Sequence, residues 1–184
     1  SEKKGYNRNI ALHDLAMNLP DGIEYFSLQK EVREGDESAL KTAPIRDFRR
    51  ELTDFSETAA LTELMDIVIS IDTSVAHLAG AMGKPTWVLL LYMADWRWFL
   101  DREDSPWYPT ATLLRQDASR QWDPVLNAVS EKLTALGGKP NARVRLHCVL
   151  AHQRIGEFEK AFALGKNLLA DNPKDRKSTR LNSS

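Results

Sequence analysis

The chain has 184 residues, 42% of them hydrophobic, with 25 basic and 26 acidic side chains and a net charge of −1. That content supports one core of moderate size, and the near-zero charge gives no reason to expect nucleic acid or a membrane surface as partner. The single Cys148 excludes an internal disulfide framework and a multi-cysteine zinc site. No apolar run approaches the roughly 20 residues of a membrane span, and with no signal peptide visible a cytoplasmic location is expected.

Residues 1–8 (SEKKGYNR) are polar, with Lys3, Lys4 and Arg8 close together. They read either as a solvated lead-in or as a phosphate-contacting loop. Ile10, Leu12, Leu15, Ala16 and Leu19 share one helical face, and Pro20-Asp21-Gly22 ends that helix. Ile23 to Leu28 (IEYFSL) reads as a strand with Gln29-Lys30 at its carboxyl end. Lys30 there is either a phosphate partner or a solvated cation. Glu31 to Ala43 is a charged loop with a short helix. Ile45 to Leu52 is ambiguous, since a β-α-β order favours a strand while the helical period also fits. Thr53, Asp54, Phe55 and Ser56 supply cap residues for a helix over Glu57 to Met65.

Asp66 to Leu91 (DIVISIDTSVAHLAGAMGKPTWVLLL) carries the clearest pattern. Ile67 to Ile71 is an unbroken apolar run suited to a parallel strand covered on both faces. Asp72, Thr73 and Ser74 are helix N-cap types. Val75 to Met82 is a helix of mostly small residues, which Gly83 is placed to terminate. Thr86 to Leu91 is a second buried strand. The polar elbow therefore falls at the carboxyl end of a strand, where open α/β sheets bind ligands. Tyr92 to Pro109 follows no helix or strand period and holds three of the five tryptophans beside charged side chains. It reads as a functional loop with a short helical turn, although Trp96, Trp98 and Trp107 can also serve to pack it, at least one of them in that way alone. Thr112 to Arg115 is a short last strand, and Asp123-Pro124 opens a helix with Pro at its first position.

Gly137-Gly138-Lys139-Pro140 marks a boundary. Beyond it two helical patterns flank Gly156. Leu146, Val149 and Leu150 line the first. Phe158, Ala161, Phe162, Leu164, Leu168 and Leu169 line the second. The spacing of Gly156, Ala161 and Pro173 is similar to a tetratricopeptide repeat, whose period is roughly 34 residues. Arg176 to Ser184 has no core pattern and reads as a non-native tail. The expected organisation is a Rossmann-like domain over 1–138, a helical hairpin over 141–175 and the tail over 176–184.

Within the elbow, Asp72-Thr73-Ser74-x-x-His77 offers hydroxyls and helix-start N–H groups to an anion such as a diphosphate. His77 lies one turn past Thr73 and can reach the same side. Asp72 can cap the helix, orient His77 or accept from a ribose hydroxyl. On spacing alone, an N-cap beside a satisfied core histidine is the favoured reading. There is no G-x-G-x-x-G, no P-loop and no G-x-S-x-G, and the four histidines do not cluster with carboxylates at metal-ligand spacing.

SIDTSVAHLAGAMGKPTWVLL resembles the nucleotide-sugar-binding signature of GT-B glycosyltransferases related to the heptosyltransferases. DWRWFLDREDSPWYPTATLLRQ, with SLQK and LTDFSETAAL, resembles the bacterial tetratricopeptide-containing glycosyltransferases, whose transferase is similar to the heptosyltransferase and O-GlcNAc transferase types. The resemblance covers about residues 4–136. It implies an α/β fold, the C-terminal Rossmann-like half of a GT-B enzyme, that binds a nucleoside-diphosphate sugar as donor substrate with no further cofactor and no metal. It implies that Thr73, Ser74 and His77 meet the diphosphate, with His77 as the catalytic contributor and Asp72 positioning them or touching the sugar nucleotide. Lys30 and Arg8 become phosphate candidates, and Thr53, Asp54 and Phe55 sit near the nucleoside. Trp96, Arg97, Ser105, Trp107 and Tyr108 line a cleft facing an N-terminal half, absent here, that supplies the base and the site for a protein or glycan acceptor. The alternative is a non-catalytic interaction module of a tetratricopeptide repeat protein.

Overall fold

The computed structural model describes residues 9–137 and the backbone of residues 145–149. In chain order these form α1 (Leu12–Ala16), β1 (Glu24–Ser27), α2 (Glu37–Thr42), β2 (Ile45–Asp47), α3 (Phe55–Glu63), β3 (Ile67–Ile71), α4 (Ser74–Ala81), β4 (Thr86–Leu90), β5 (Ala111–Arg115), α5 (Asp123–Gly137) and β6 (Arg145–Val149). Single 3-10 turns precede α2 at Glu34–Asp36 and follow β4 at Trp96–Trp98.

All six strands are parallel, in the order β2-β1-β6-β3-β4-β5. The alternation of side chains along each strand divides the core into two layers. Tyr25, Ile45, Ile67, Ile69, Ile71, Trp87 and Leu89 face one side, where Leu12, Leu15, Leu40, Val125, Leu126, Val129 and Leu133 of α1, α2 and α5 cover them. Phe26 and Val68 face the other side, against Val75 and Ala79 of α4. Val88, Leu90 and Leu113 lie beneath Trp98 and Tyr108. Every residue of β3 and β4 is buried, as their unbroken apolar runs require.

The expected elements over 9–136 are present with shifted ends. The first helix is only five residues long, with Ile10 buried ahead of it. The ambiguous Ile45 segment is a strand that lasts three residues. Gly83 ends α4 at φ +71°, with its N–H on the Gly80 carbonyl at 3.1 Å and the Lys84 N–H on Ala79 at 3.0 Å. That paired bonding is a Schellman cap, which needs a left-handed residue at this position.

One expectation is corrected. Residues 145–149 form a strand, not the first helix of a hairpin lined by Leu146 and Val149. The segment VRLHCVL also alternates apolar and polar residues with period two as far as Cys148, a pattern as compatible with a strand as with a helix turn. Paired on both sides, it fills the place between β1 and β3, where two rows of backbone groups would otherwise lack partners. The rest of the hairpin, the 176–184 tail and Arg8 lie outside the described residues. Among the described residues no helix is long and apolar enough to cross a membrane.

Candidate functional site

A parallel sheet collects the ends of its strands on one edge. Here Gln29-Lys30 follow β1, Thr53-Asp54 close the connection from β2 to α3, Asp72-Thr73 follow β3, and Tyr92 to Pro109 follows β4. The chain runs outward from β1 to β2, then crosses back to β3 and runs outward the other way to β5. Such a reversal of direction is where doubly wound sheets open a crevice for ligands.

Two groups of the expected residues come together on this edge. In the first, Lys30 Nζ donates to the Thr53 carbonyl at 2.8 Å. Asp54 is the N-cap of α3, and its Oδ1 accepts from Ser56 Oγ at 2.5 Å, Ser56 N–H at 2.8 Å and Glu57 N–H at 3.3 Å. Those bonds, led by the Ser56 hydroxyl and helped by the Lys30 charge, hold its carboxyl below the usual range. Phe55 lies half-buried against Ala59 and Leu78. Lys30 and Thr53 remain exposed, whereas Asp54 already serves the helix.

The second group surrounds His77. Thr73 is the N-cap of α4 but makes no side-chain cap bond; its Oγ1 pairs instead with Ser70 Oγ at 2.9 Å. Thr73 and Ser74 are buried, and His77 is only 3% exposed. The imidazole is turned inward. Its Nδ1 lies 2.9 Å from the Tyr108 hydroxyl and its Nε2 lies 3.4 Å from Asp72 Oδ1. The Trp98 indole, fully buried, stacks on it with ring centroids 5.2 Å apart, and Tyr108 meets it edge-on at 5.7 Å. Both ring nitrogens are thus engaged within the protein, and neither is offered to a diphosphate in this conformation. The packing role open to the tryptophans is taken by Trp98.

Asp72 is the part of this group that still reaches solvent, with 22% of its side chain exposed. Burial alone would raise its carboxyl. Hydrogen bonding from His77 and Trp98, with the charges of His77 and Arg97, outweighs that and holds it below its ordinary value. The Trp98 indole N–H contributes to this field without closing a hydrogen bond of good geometry among the described residues. Tyr108 behaves in the opposite way: burial first, then the Asp72 charge, pushes its phenol up to about 12 against the pull of Arg97.

The segment after β4 is what closes over α4. Ala76 and Ala81 leave room for Trp98 and Tyr108. Gly80 is indispensable to that fit, because a Cβ there would lie 2.6 Å from Cγ of Tyr108. Ser105 Oγ accepts from the N–H groups of Trp107 and Tyr108, and the Trp107 indole donates to the Arg97 carbonyl at 3.0 Å. The Arg97 guanidinium lies beside Asp95 and over the ring of Trp96. Outward, Met93, Trp96, Phe99, Leu100 and Trp107 are exposed, and Trp96, Phe99 and Leu100 line a groove of about 630 Å³ with Asp95 and Arg102. Sequence reading missed Tyr108 as a buried hydrogen-bond partner, and it missed Trp98 as the lid on His77. A tyrosine 31 positions away gives no spacing signal toward a histidine.

Residues 52–122 match the model of glycosyltransferase family 9 (heptosyltransferase). The match supports a glycosyltransferase function, and it runs from just before the α3 cap through Asp72, His77 and Tyr108 to the start of α5. The chain is also 31% identical over 80 residues to protein FlbA of Caulobacter vibrioides, covering 44% of this chain and 13% of that protein. No solved structure matches. Among the described residues no group of three or more His, Cys, Asp and Glu side chains is placed to hold a metal ion.

Proposed function

We propose that this chain is the nucleotide-sugar-binding part of a two-domain glycosyltransferase, and that the donor lies along the carboxyl edge of the sheet. The observation that carries this reading is the family match over residues 52–122, which takes in the loops that form that edge around β3, β4 and β5. The diphosphate lies toward the start of α4, where the Thr73 and Ser74 backbone, the helix dipole and the Arg97 guanidinium favour negative charge as the sugar leaves. Lys30, Thr53 and Phe55 border the nucleoside side, with Arg8 as a further phosphate contact. Asp72 faces the sugar nucleotide and accepts from hydroxyl groups, because a carboxylate cannot donate to a phosphate. His77 acts by positioning Asp72 and not by touching the diphosphate, given its enclosure.

The exposed apolar rim of Trp96, Phe99, Leu100 and Trp107 supports a cleft that faces a second, N-terminal half. That half contributes the base and the protein or glycan acceptor.

Titrating the chain with UDP, GDP and ADP by calorimetry and NMR tests the reading. Weak binding is expected, with backbone shifts at 29–30, 53–55, 72–76 and 97. A folded sample that binds none of the three overturns it.

A further inference from the structure

Asp72, His77 and Tyr108 form a chain of polar contacts that runs one way. Asp72 Oδ1 is 3.4 Å from His77 Nε2, and the carboxyl is held ionised, so it can only accept. Nε2 therefore carries a hydrogen. In the uncharged ring Nδ1 then holds the lone pair, and the Tyr108 oxygen 2.9 Å away must be its donor. The buried phenol keeps its proton far above neutral pH. Asp72 thus sets the imidazole tautomer, while the Tyr108 O–H anchors the ring through Nδ1 and so holds its N–H against the carboxylate.

Packing alone does not ask for this arrangement. Phe at 108 would fill the same space over Gly80, and an apolar side chain at 77 would stack under Trp98 without burying polar atoms. A buried polar chain costs free energy unless every member is satisfied. Here the chain ends on a carboxylate that still opens to solvent at the sheet edge. Tyr108 also belongs to the segment after β4, so its grip reaches from that segment across α4 to the elbow of β3.

We propose that Tyr108 is a positioning residue, which acts through His77 to hold Asp72 in one rotamer as a hydroxyl acceptor for the sugar nucleotide. This rests on the donor-binding reading above. Its consequence is a split: the contacts of the nucleoside diphosphate are independent of Tyr108, while those of the attached sugar depend on it.

The test uses the whole chain and Tyr108→Phe at pH 8. Long-range ¹H–¹⁵N spectra of the His77 ring, recorded without ligand, are expected to show the Nε2–H tautomer in both chains, with sharp ring signals in the parent and broadened ones in Tyr108→Phe as the ring loses its anchor. Titration with UDP, GDP and ADP is expected to change less than about twofold. Affinity for the matching sugar esters (UDP-glucose, GDP-mannose, ADP-glucose) that bind the parent is expected to fall about tenfold, as for loss of support to one hydrogen bond with a charged group. Ring signals as sharp in Tyr108→Phe as in the parent, an unchanged sugar-ester affinity, or equal weakening of diphosphates and sugar esters each overturns the proposal. Asp72→Asn probes the same chain from its other end, should Tyr108→Phe not fold: its amide can donate or accept, so the tautomer lock is expected to be lost, and its persistence would sink the idea. If the parent binds no nucleotide at all, the donor-binding reading fails, while the ring spectra still decide whether Tyr108 and Asp72 govern His77.

Discussion

The Tyr108 hydroxyl oxygen sits 2.9 Å from Nδ1 of His77 although 31 residues separate them in the chain. The contact exists because α4 presents Ala76, His77 and Gly80 toward the segment that follows β4. The small residues admit two aromatic rings, and the histidine supplies the polar atoms between them.

Gly80→Ala tests that fit directly. Alanine normally favours a helix interior by about 1 kcal/mol over glycine. Here the added Cβ would lie 2.6 Å from Cγ and 2.8 Å from Cδ1 of Tyr108, close to the root of the ring, where a rotamer change gives little relief. Overpacking of this kind costs about 1–3 kcal/mol. The expected net result is a loss of stability of up to about 2 kcal/mol in urea denaturation, with the His77 ring signals displaced. A more stable Gly80→Ala chain would show that the rings yield easily.

The depressed Asp72 carboxyl makes a pH prediction. Its folded value lies below its unfolded value, so its contribution is complete above the ordinary aspartate range, near pH 4, and is lost as pH falls through the folded value. Asp72→Asn removes that contribution. The melting temperatures of parent and variant should differ by a constant amount from about pH 5 to 7 and converge as pH drops below about 4. A gap that widens on acidification would reverse the assigned sign.

Much of this architecture was legible because it rests on local periodicity. The apolar run of Ile67 to Ile71 and the small-residue helix ending at Gly83 each carry their own instruction, and both are present. The enclosure of His77 was not legible, since it depends on Trp98 and Tyr108 arriving from a segment without any period. Spacing put His77 one turn past Thr73 and left its direction open, and tertiary packing chose the interior. Residues 145–149 mark a different limit. Their short apolar pattern serves helix and strand alike, and pairing with β1 and β3 decides it.

Lys30 separates a binding role from a solvated one. Its ammonium is held near Asp54 by the Thr53 carbonyl and remains exposed at the end of β1. If a nucleotide lies there, Lys30→Ala should weaken nucleoside-diphosphate binding by about two- to fivefold, the worth of one screened charge contact, and the effect should shrink in added salt. Lys30→Arg should retain most of the affinity, and neither change should move the melting temperature appreciably. Equal affinities for parent and Lys30→Ala in a chain that does bind would return Lys30 to the solvated surface.

Phe99 yields the least intuitive prediction. Its backbone stands at φ 53° and ψ −172°, a region that residues with a Cβ rarely enter, at a cost of about 1–3 kcal/mol. Arg115 holds it there, donating to the carbonyl oxygens of Trp98 at 3.1 Å and Phe99 at 2.7 Å. The ring is largely exposed and is covered mainly by the Arg102 guanidinium, a contact worth about 0.5–1 kcal/mol. Phe99→Gly loses that contact and adds about 0.5–1 kcal/mol of backbone entropy cost, but it abolishes the strain. Phe99→Ala loses the contact and keeps the strain. The glycine variant should therefore be more stable than the alanine variant by about 1 kcal/mol, or about 2–4 °C in melting temperature for a chain of this size. At an ordinary extended or helical position the order would be the reverse, so an alanine variant equal to or above the glycine variant in thermal unfolding would remove the claim that Arg115 holds a strained peptide at the rim of the groove.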